Sequence, residues 1–306
     1  MHYSVLLNES IENLNIKEDG IYVDATLGYA GHSKEILKRL KRGFLFAFDA
    51  DEEAIAHSHQ LLSEISCNFK IFHSNFVHMK ERLAEEGITK VDGILFDLGF
   101  SSPQVDNPSR GFSFMHDAKL DMRMDTSKPF SAYEVINEYS LKDLTDIFYL
   151  YGEEKMSRVI ASKIVNIRMK KPIETTKELV SIIESAVGAK YFNLHHPERQ
   201  IFQAIRIEVN SELNVLKMVL PDAISLLKPE GRICVITFHS LEDRIVKQIF
   251  KTNSEVDEMV KGLPVIPDEY KPLIKLINKK PILPTERELS ENTRSKSAKL
   301  RVIERV

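Results

Sequence analysis

The sequence predicts an α/β fold: a doubly wound parallel sheet into which a mainly helical domain is inserted. Three observations carry this. Short apolar runs alternate with helical patterns from residue 21 to residue 96. From residue 109 to residue 209 no strand pattern appears, and beyond residue 210 the alternation returns. Strands that alternate with helices imply parallel βαβ units.

The elements follow in order. Residues 21–25 read as the first strand, and residues 31–41 as a helix with Ile36, Leu37 and Leu40 on one face. Strand two, 44–48, ends at Asp49, and a helix covers 52–65. Strand three is 69–72, a helix covers 77–86, and strand four is 92–96. The segment 109–209 is too long for a loop. Its patterns at 140–151, 154–169 and 176–187 have helical spacing, so it reads as an inserted helical domain. Residues 210–227 form an amphipathic helix that stops at Lys228-Pro229-Glu230-Gly231. Residues 232–238 are almost continuously apolar, which suits a strand buried on both faces, and a helix covers 241–250. Two strands at 273–277 and 299–303 suit a closing antiparallel pair. The sheet domain is thus 1–108 with 210–306, discontinuous in sequence, and the insert is 109–209.

Composition agrees with a globular chain: 306 residues, 43% hydrophobic and 28% charged, enough for two domains. Cys67 and Cys234 lie far apart without metal-like spacing and read as structural thiols. The first residues lack a basic stretch followed by a long apolar run, and no stretch approaches a membrane span. The reading is cytoplasmic, with no membrane partner. Net charge is −3, which argues against a generic nucleic-acid coat. Charge is unevenly spread, however. Residues 155–171 hold six basic side chains and no acidic one, and residues 271–306 hold ten basic and four acidic. Such runs are either solvated faces or what a phosphate backbone requires.

The turn at residues 22–33, YVDATLGYAGHS, carries the chemistry. A strand that enters a Gly-containing turn and then a helix is a general nucleotide-binding device. Asp49, ending the second strand, is placed to accept from two ribose hydroxyls, as it would be in a dinucleotide enzyme. The turn separates the two cofactor classes. A pyrophosphate site wants G-x-G-x-x-G, whereas this turn has Gly28, Gly31 and an early acid, Asp24. A carboxylate there repels pyrophosphate and suits the ammonium or sulfonium of S-adenosyl-L-methionine. His32 would line the cofactor's amino-acid end or pack locally. Asp97, ending strand four, would lie at the adenine or the methyl donor, or simply initiate a turn before Gly99. Phe76 would cover the adenine or join the core.

These residues and several long motifs resemble the MraW (RsmH) family of bacterial ribosomal RNA methyltransferases. The motifs are His2-Tyr-Ser-Val-Leu-Leu, the Asp24–Ser33 turn, Asp92–Gln104, Arg110-Gly-Phe-Ser-Phe, Leu120–Asp125, Tyr151-Gly-Glu-Glu, Phe202–Leu213, Phe238–Lys247 and Ser297-Ala-Lys-Leu-Arg-Val. The resemblance implies a class I (Rossmann-like) methyltransferase with a helical insert between strands four and five. It implies methyl transfer from S-adenosyl-L-methionine to N4 of a cytidine in the decoding region of small-subunit (16S) ribosomal RNA. It implies a cofactor site of Ala30, Gly31, His32, Asp49, Phe76, Asp97 and Gln104. Ala30 departs from the family's usual Gly, and is accommodated if its φ is negative.

An exocyclic cytosine amine is a poor nucleophile, so the enzyme must align nitrogen, methyl and sulfur. The loop after strand four is expected to contact it, through Ser101, Ser102 and Pro103, with Phe100 stacking on the base or packing the loop. No strong base is needed before attack, because the N–H turns acidic only after methyl transfer. No metal is expected: His57, His59, His195 and His196 have no Cys or acidic partners at ligand spacing. The target base must leave its stack. Arg110, Arg123, Arg206 and Arg244 are candidates to contact RNA, with surface ion pairs as the alternative. His239 would bind substrate or cap the helix at Ser240. The partner is small-subunit rRNA, free or within the 30S subunit, and the oligomeric state, monomer or homodimer, stays open. Two other functions are weighed: an NAD-dependent oxidoreductase, and a non-catalytic RNA-binding module hinted at by Ala30.

Overall fold

The computed structural model describes residues 4–99 and 107–306. They form two compact units, residues 1–99 with 213–306, and residues 100–212.

The first unit is built on one sheet. Its strands are β1 (Ile21–Asp24), β2 (Phe44–Asp49), β3 (Phe69–His73), β4 (Val91–Asp97), β5 (Leu227–Thr237), β6 (Ile274–Leu276) and β7 (Lys299–Arg305), in the order β3-β2-β1-β4-β5-β7-β6. Neighbours are parallel except at β7, which is antiparallel to both β5 and β6. This is the doubly wound sheet with a closing antiparallel pair. Side-chain alternation explains why both faces are covered. Phe46, Phe48, Ile94, Phe96, Ile233 and Val235 point into one core. Leu45, Ala47, Leu95, Cys234 and Ile236, the residues between them, point into the other. Helices α4 (Met79–Glu85), α11 (Glu212–Leu226) and α12 (Ser240–Ser254) line the first core. Helices α1 (Leu7–Leu14), α2 (Gly31–Leu37) and α3 (Glu52–Ser63) line the second. The strand order reverses between β1 and β4, so the crevice for a ligand opens at the carboxyl ends of those strands. Asp24, Asp49 and Asp97 are the last residues of β1, β2 and β4.

The second unit is helical. Its helices are α5 (Ala132–Glu138), α6 (Leu141–Leu150), α7 (Ser157–Arg168), α8 (Thr176–Val187), α9 (Ala189–His195) and α10 (Pro197–Asn210). Leu144, Phe148, Ile160, Ile164, Leu179, Ile183, Ile201 and Ile205 are fully buried in its core. Capping boxes at Ser131/Glu134 and Thr175/Glu178 set where α5 and α8 begin. Among the described residues its strand pairing is a single bridge, Lys119 to Thr175.

Local differences from the sequence reading have physical causes. Helix α2 ends at Leu37 rather than 41, because the next amides turn away. Arg39 N donates to Ile36 O, and Lys41, Arg42 and Gly43 N all donate to Glu18 O. Strand β5 starts at Leu227, not 232, with Glu230 at φ +64° and a register shift against β4. Residues 228–231 of β5 stand opposite Asp92 alone, an irregularity that the Pro and Gly of the stop signal concealed. The units divide at 99/100 and 212/213, where the sequence reading divided them at 108/109 and 209/210. A break at Ser211, φ +52°, separates α10 from α11, and the Arg206–Glu212 pair ties Glu212 to the helical unit.

Candidate functional site

The turn after β1 is held by its own polar groups. Asp24 is 1% exposed; one oxygen accepts from Thr26 N (3.1 Å) and the other from Ser33 Oγ (2.7 Å). Gly28, φ +48°, donates its N–H to Asp49 Oδ2 (2.8 Å), and its carbonyl accepts from Ser58 Oγ (2.8 Å). Gly31 has no room for a side chain: a Cβ there would lie 1.8 Å from Ser4 Oγ. Ala30 corrects an expectation. Its φ is +59°, not negative, and it caps α2 in the left-handed region while fully buried. An L-residue with a Cβ costs about 1 kcal/mol there relative to Gly.

Three carboxylates end three adjacent strands, and each is perturbed in the same direction. Burial raises Asp24 to about 6 and Asp49 to about 6. Burial, then the charges of Asp24 and Glu242, raise Asp97 well above the usual carboxylate range. Among the described residues none of the three pairs with Lys or Arg. Asp49 Oδ1 accepts from Asp51 N (2.9 Å), and each of its oxygens keeps a lone pair for a ribose hydroxyl. Asp97 is held at its backbone, where its N–H donates to Thr26 Oγ1 (2.7 Å). Its side chain is 25% exposed, yet Oδ1 is buried and has no hydrogen-bond partner among the described residues. Its Oδ2 lies 3.5 Å from His32 Nδ1. His32 Nε2 lies 3.2 Å from the Val5 carbonyl, which only accepts, so Nε2 carries the hydrogen and Nδ1 the lone pair. Burial lowers His32 to about 4, which keeps it neutral.

Phe76 follows β3 in a single 3₁₀ turn that Asn75 caps. It is half-buried and meets Phe96 edge-on at 5.7 Å. These residues fit S-adenosyl-L-methionine. Asp49 can hold the ribose diol and Phe76 can lie against the adenine. The glycines allow backbone approach. The unpartnered Asp97 oxygen and the uncompensated acids suit a cation.

The other expected residues divide sharply. Ser101, Ser102, Pro103, Gln104 and Phe100 lie outside the described residues. Arg123 is consumed in its own turn: Nε and Nη2 donate to Asp121 (2.9 and 2.7 Å), and Nη1 to the Thr126 and Lys128 carbonyls. Arg110 Nη2 donates to the Arg123 and Met124 carbonyls (2.9 and 3.2 Å). Arg206 is 8% exposed and grips Glu212 bidentately (2.9 and 3.0 Å). These three arginines organise the helical unit. His239 takes its capping alternative: Nδ1 accepts from Glu242 N (3.4 Å) and the Glu242 carboxylate accepts from Phe238 N and His239 N. Arg244 is exposed on α12. In the basic run of 155–171, Arg168 donates to the Ile136 and Tyr139 carbonyls and Lys171 pairs with Glu178 (3.0 Å). Thr26, Ser33, Ser58, Ser4 and Val5 escape the sequence reading. Thr26 and Ser33 lie inside the turn at 22–33 and Ser4 and Val5 inside the first motif, but nothing in the sequence pattern marks Ser58.

Comparison with known proteins places the chain. The MraW methylase family matches residues 1–306. The ribosomal RNA small subunit methyltransferase H of Exiguobacterium sibiricum is 54% identical over 306 residues, which is 100% of this chain and 98% of that protein. Among solved structures, an rRNA methylase from Streptococcus thermophilus shows 12% identity and a TM-score of 0.43, covering 100% of this chain and 99% of that one. A SAM-dependent O-methyltransferase from Thermotoga maritima shows 10% identity and a TM-score of 0.42, covering 100% of this chain and 68% of that one.

Proposed function

Because this chain belongs to the MraW methylase family, we propose that it transfers a methyl group to N4 of a cytidine in the decoding region of small-subunit ribosomal RNA. S-adenosyl-L-methionine is its cofactor. The observation that carries the reading is the row of uncompensated carboxylates at the ends of β1, β2 and β4, joined to the rRNA substrate named for its 54% identical relative. The oxidoreductase alternative has no support in the family, and the row of acids would repel a pyrophosphate.

When bound, S-adenosyl-L-methionine supplies an electrophilic methyl on a sulfonium. The chain's part is placement. Asp49 orients the ribose, Phe76 covers the base, and the Asp24–Ser33 turn receives the amino-acid end. The crevice above β1 and β4 takes the flipped cytosine, whose amine must lie in line with the sulfur–methyl bond. Transfer disperses the sulfonium charge, so a dry pocket does not oppose it.

The helical unit is read as the surface that meets the RNA, within free rRNA or the 30S subunit. With Arg168 and Lys171 engaged in the unit itself, the phosphate-facing cations are Lys155, Arg158, Lys163 and Lys170, on and flanking α7.

The test uses small subunits from a strain lacking this protein. Incubation with purified protein and S-adenosyl-L-methionine should produce N4-methylcytidine, identified by mass spectrometry of digested rRNA. Methyl on another nucleoside would overturn the N4 assignment, and no methyl at all would favour the non-catalytic RNA-binding alternative.

A further inference from the structure

Cofactor binding alone does not explain the arrangement around Asp97. Asp24 accepts from an amide and a hydroxyl, and Asp49 accepts from two amides. Asp97 accepts from no amide among the described residues, although Thr26 Oγ1 fixes its backbone. Its neighbour His32 is turned the wrong way to help an anion. The Nε2 hydrogen is committed to the Val5 carbonyl, so Nδ1 presents a lone pair to Oδ2 at 3.5 Å. A carboxylate gains no hydrogen bond from that lone pair, whereas a protonated carboxyl can donate to it. The neighbours from the other packed elements act the same way: Asp24 from β1 and Glu242 from α12 both oppose a negative charge on Asp97.

We propose that Asp97 takes the proton shed by the target nitrogen after methyl transfer, and that His32, oriented by Val5, is the positioning residue that leaves Asp97 free to do so. This rests on the reading that an exocyclic amine is methylated. As the nitrogen lone pair forms the N–C bond, the C–S electron pair returns to sulfur. The nitrogen is then cationic. One N–H pair collapses back onto it, and the proton bonds to an Asp97 carboxylate oxygen, from which it passes to solvent. A positioned general base contributes about 10²–10⁴-fold. The raised affinity of Asp97 for a proton supports the assignment.

Two measurements test it. In protein without cofactor, ¹⁵N-histidine NMR should show His32 with a hydrogen on Nε2 and none on Nδ1. The Nδ1 shift should follow a single titration that disappears in Asp97→Asn. Finding the hydrogen on Nδ1 would overturn the proposal. In single-turnover transfer at saturating S-adenosyl-L-methionine, the wild-type rate should rise with pH and then level. Asp97→Asn should lose that rise and fall by about 10²-fold or more. His32→Gln, which can turn a donor toward Oδ2, should move the midpoint to lower pH under the same saturating cofactor. Unchanged pH profiles in both variants would overturn the proposal and leave the proposed function standing. A wild-type protein that methylates no exocyclic amine would remove both.

Discussion

The acids at the strand ends should make cofactor binding depend on pH in a stated direction. Asp24 rises from 3.8 to about 6 on folding, because burial removes its solvation. Two units correspond to about 3 kcal/mol against the charged form. The sign follows from proton counting. Between pH 4 and 6 the folded chain holds more protons on these groups than the unfolded chain does, so stability falls as pH rises. Above about 6 the full cost is present. A ligand that carries a sulfonium and an ammonium favours the ionised acids and relieves part of it. From pH 7 down to pH 5, affinity should therefore weaken about ten-fold for each carboxylate that must ionise on binding. Asp49 is the clearest case, since it is raised to about 6 and half-buried at the crevice. Calorimetry from pH 5 to pH 8 measures this directly, with proton uptake read from buffers of different ionisation enthalpy. Asp49→Asn should weaken binding at pH 7 and flatten the profile. A wild-type affinity constant within about two-fold across that range would refute the reasoning, because groups coupled to the ligand must show linkage. Acids that are lowered by partners, such as Asp121 beside Arg123 and Asp243 beside Arg301, lose their contribution only at more acid pH. They do not confuse this window.

Other consequences can be checked separately. Ala30→Gly should raise stability in denaturant by about 0.5–1 kcal/mol, because it removes a Cβ held at φ +59°. Arg206→Ala should cost about 3 kcal/mol, because the 11%-exposed Glu212 side chain loses its bidentate partner, and urea melts should show it. Replacing Lys155, Arg158, Lys163 and Lys170 with Gln should weaken subunit binding. The slope of log affinity against log salt should fall by about 0.7–0.9 for each phosphate that the protein no longer neutralises, read by filter binding at several ionic strengths. The same protein should bind S-adenosyl-L-methionine normally.

How much of this was legible in the sequence depends on what each feature rests on. The strands and the helical run between them followed from periodicity, because buried strands such as 232–238 leave continuous apolar runs and α6, α7 and α8 leave helical spacing. Elements fixed by a single backbone event did not. The register shift at Glu230 reads as a stop signal, and the break at Ser211 lies within a pattern that looks like uninterrupted helix. Helix α1, eight residues long, is too short to announce itself by period.

The site shows the same division more strongly. Which residue types gather was readable: an acid at the end of each of three strands, with glycine in the turn. What each polar group spends its hydrogen bonds on was not. Arg123 and Arg206 sit in motifs that suggest a substrate, yet their nitrogens are taken by Asp121 and Glu212 from the same unit. His239 could bind or cap, and a distance to one amide favours the cap. The informative group is therefore the polar atom left over when all others are counted. By that count Asp24 is closed by Thr26 and Ser33, and Asp49 is half closed. Asp97 keeps one buried oxygen that no described residue meets. A buried acceptor without a partner is costly to keep, about 1–3 kcal/mol, and the cost disappears when a donor arrives from outside the chain.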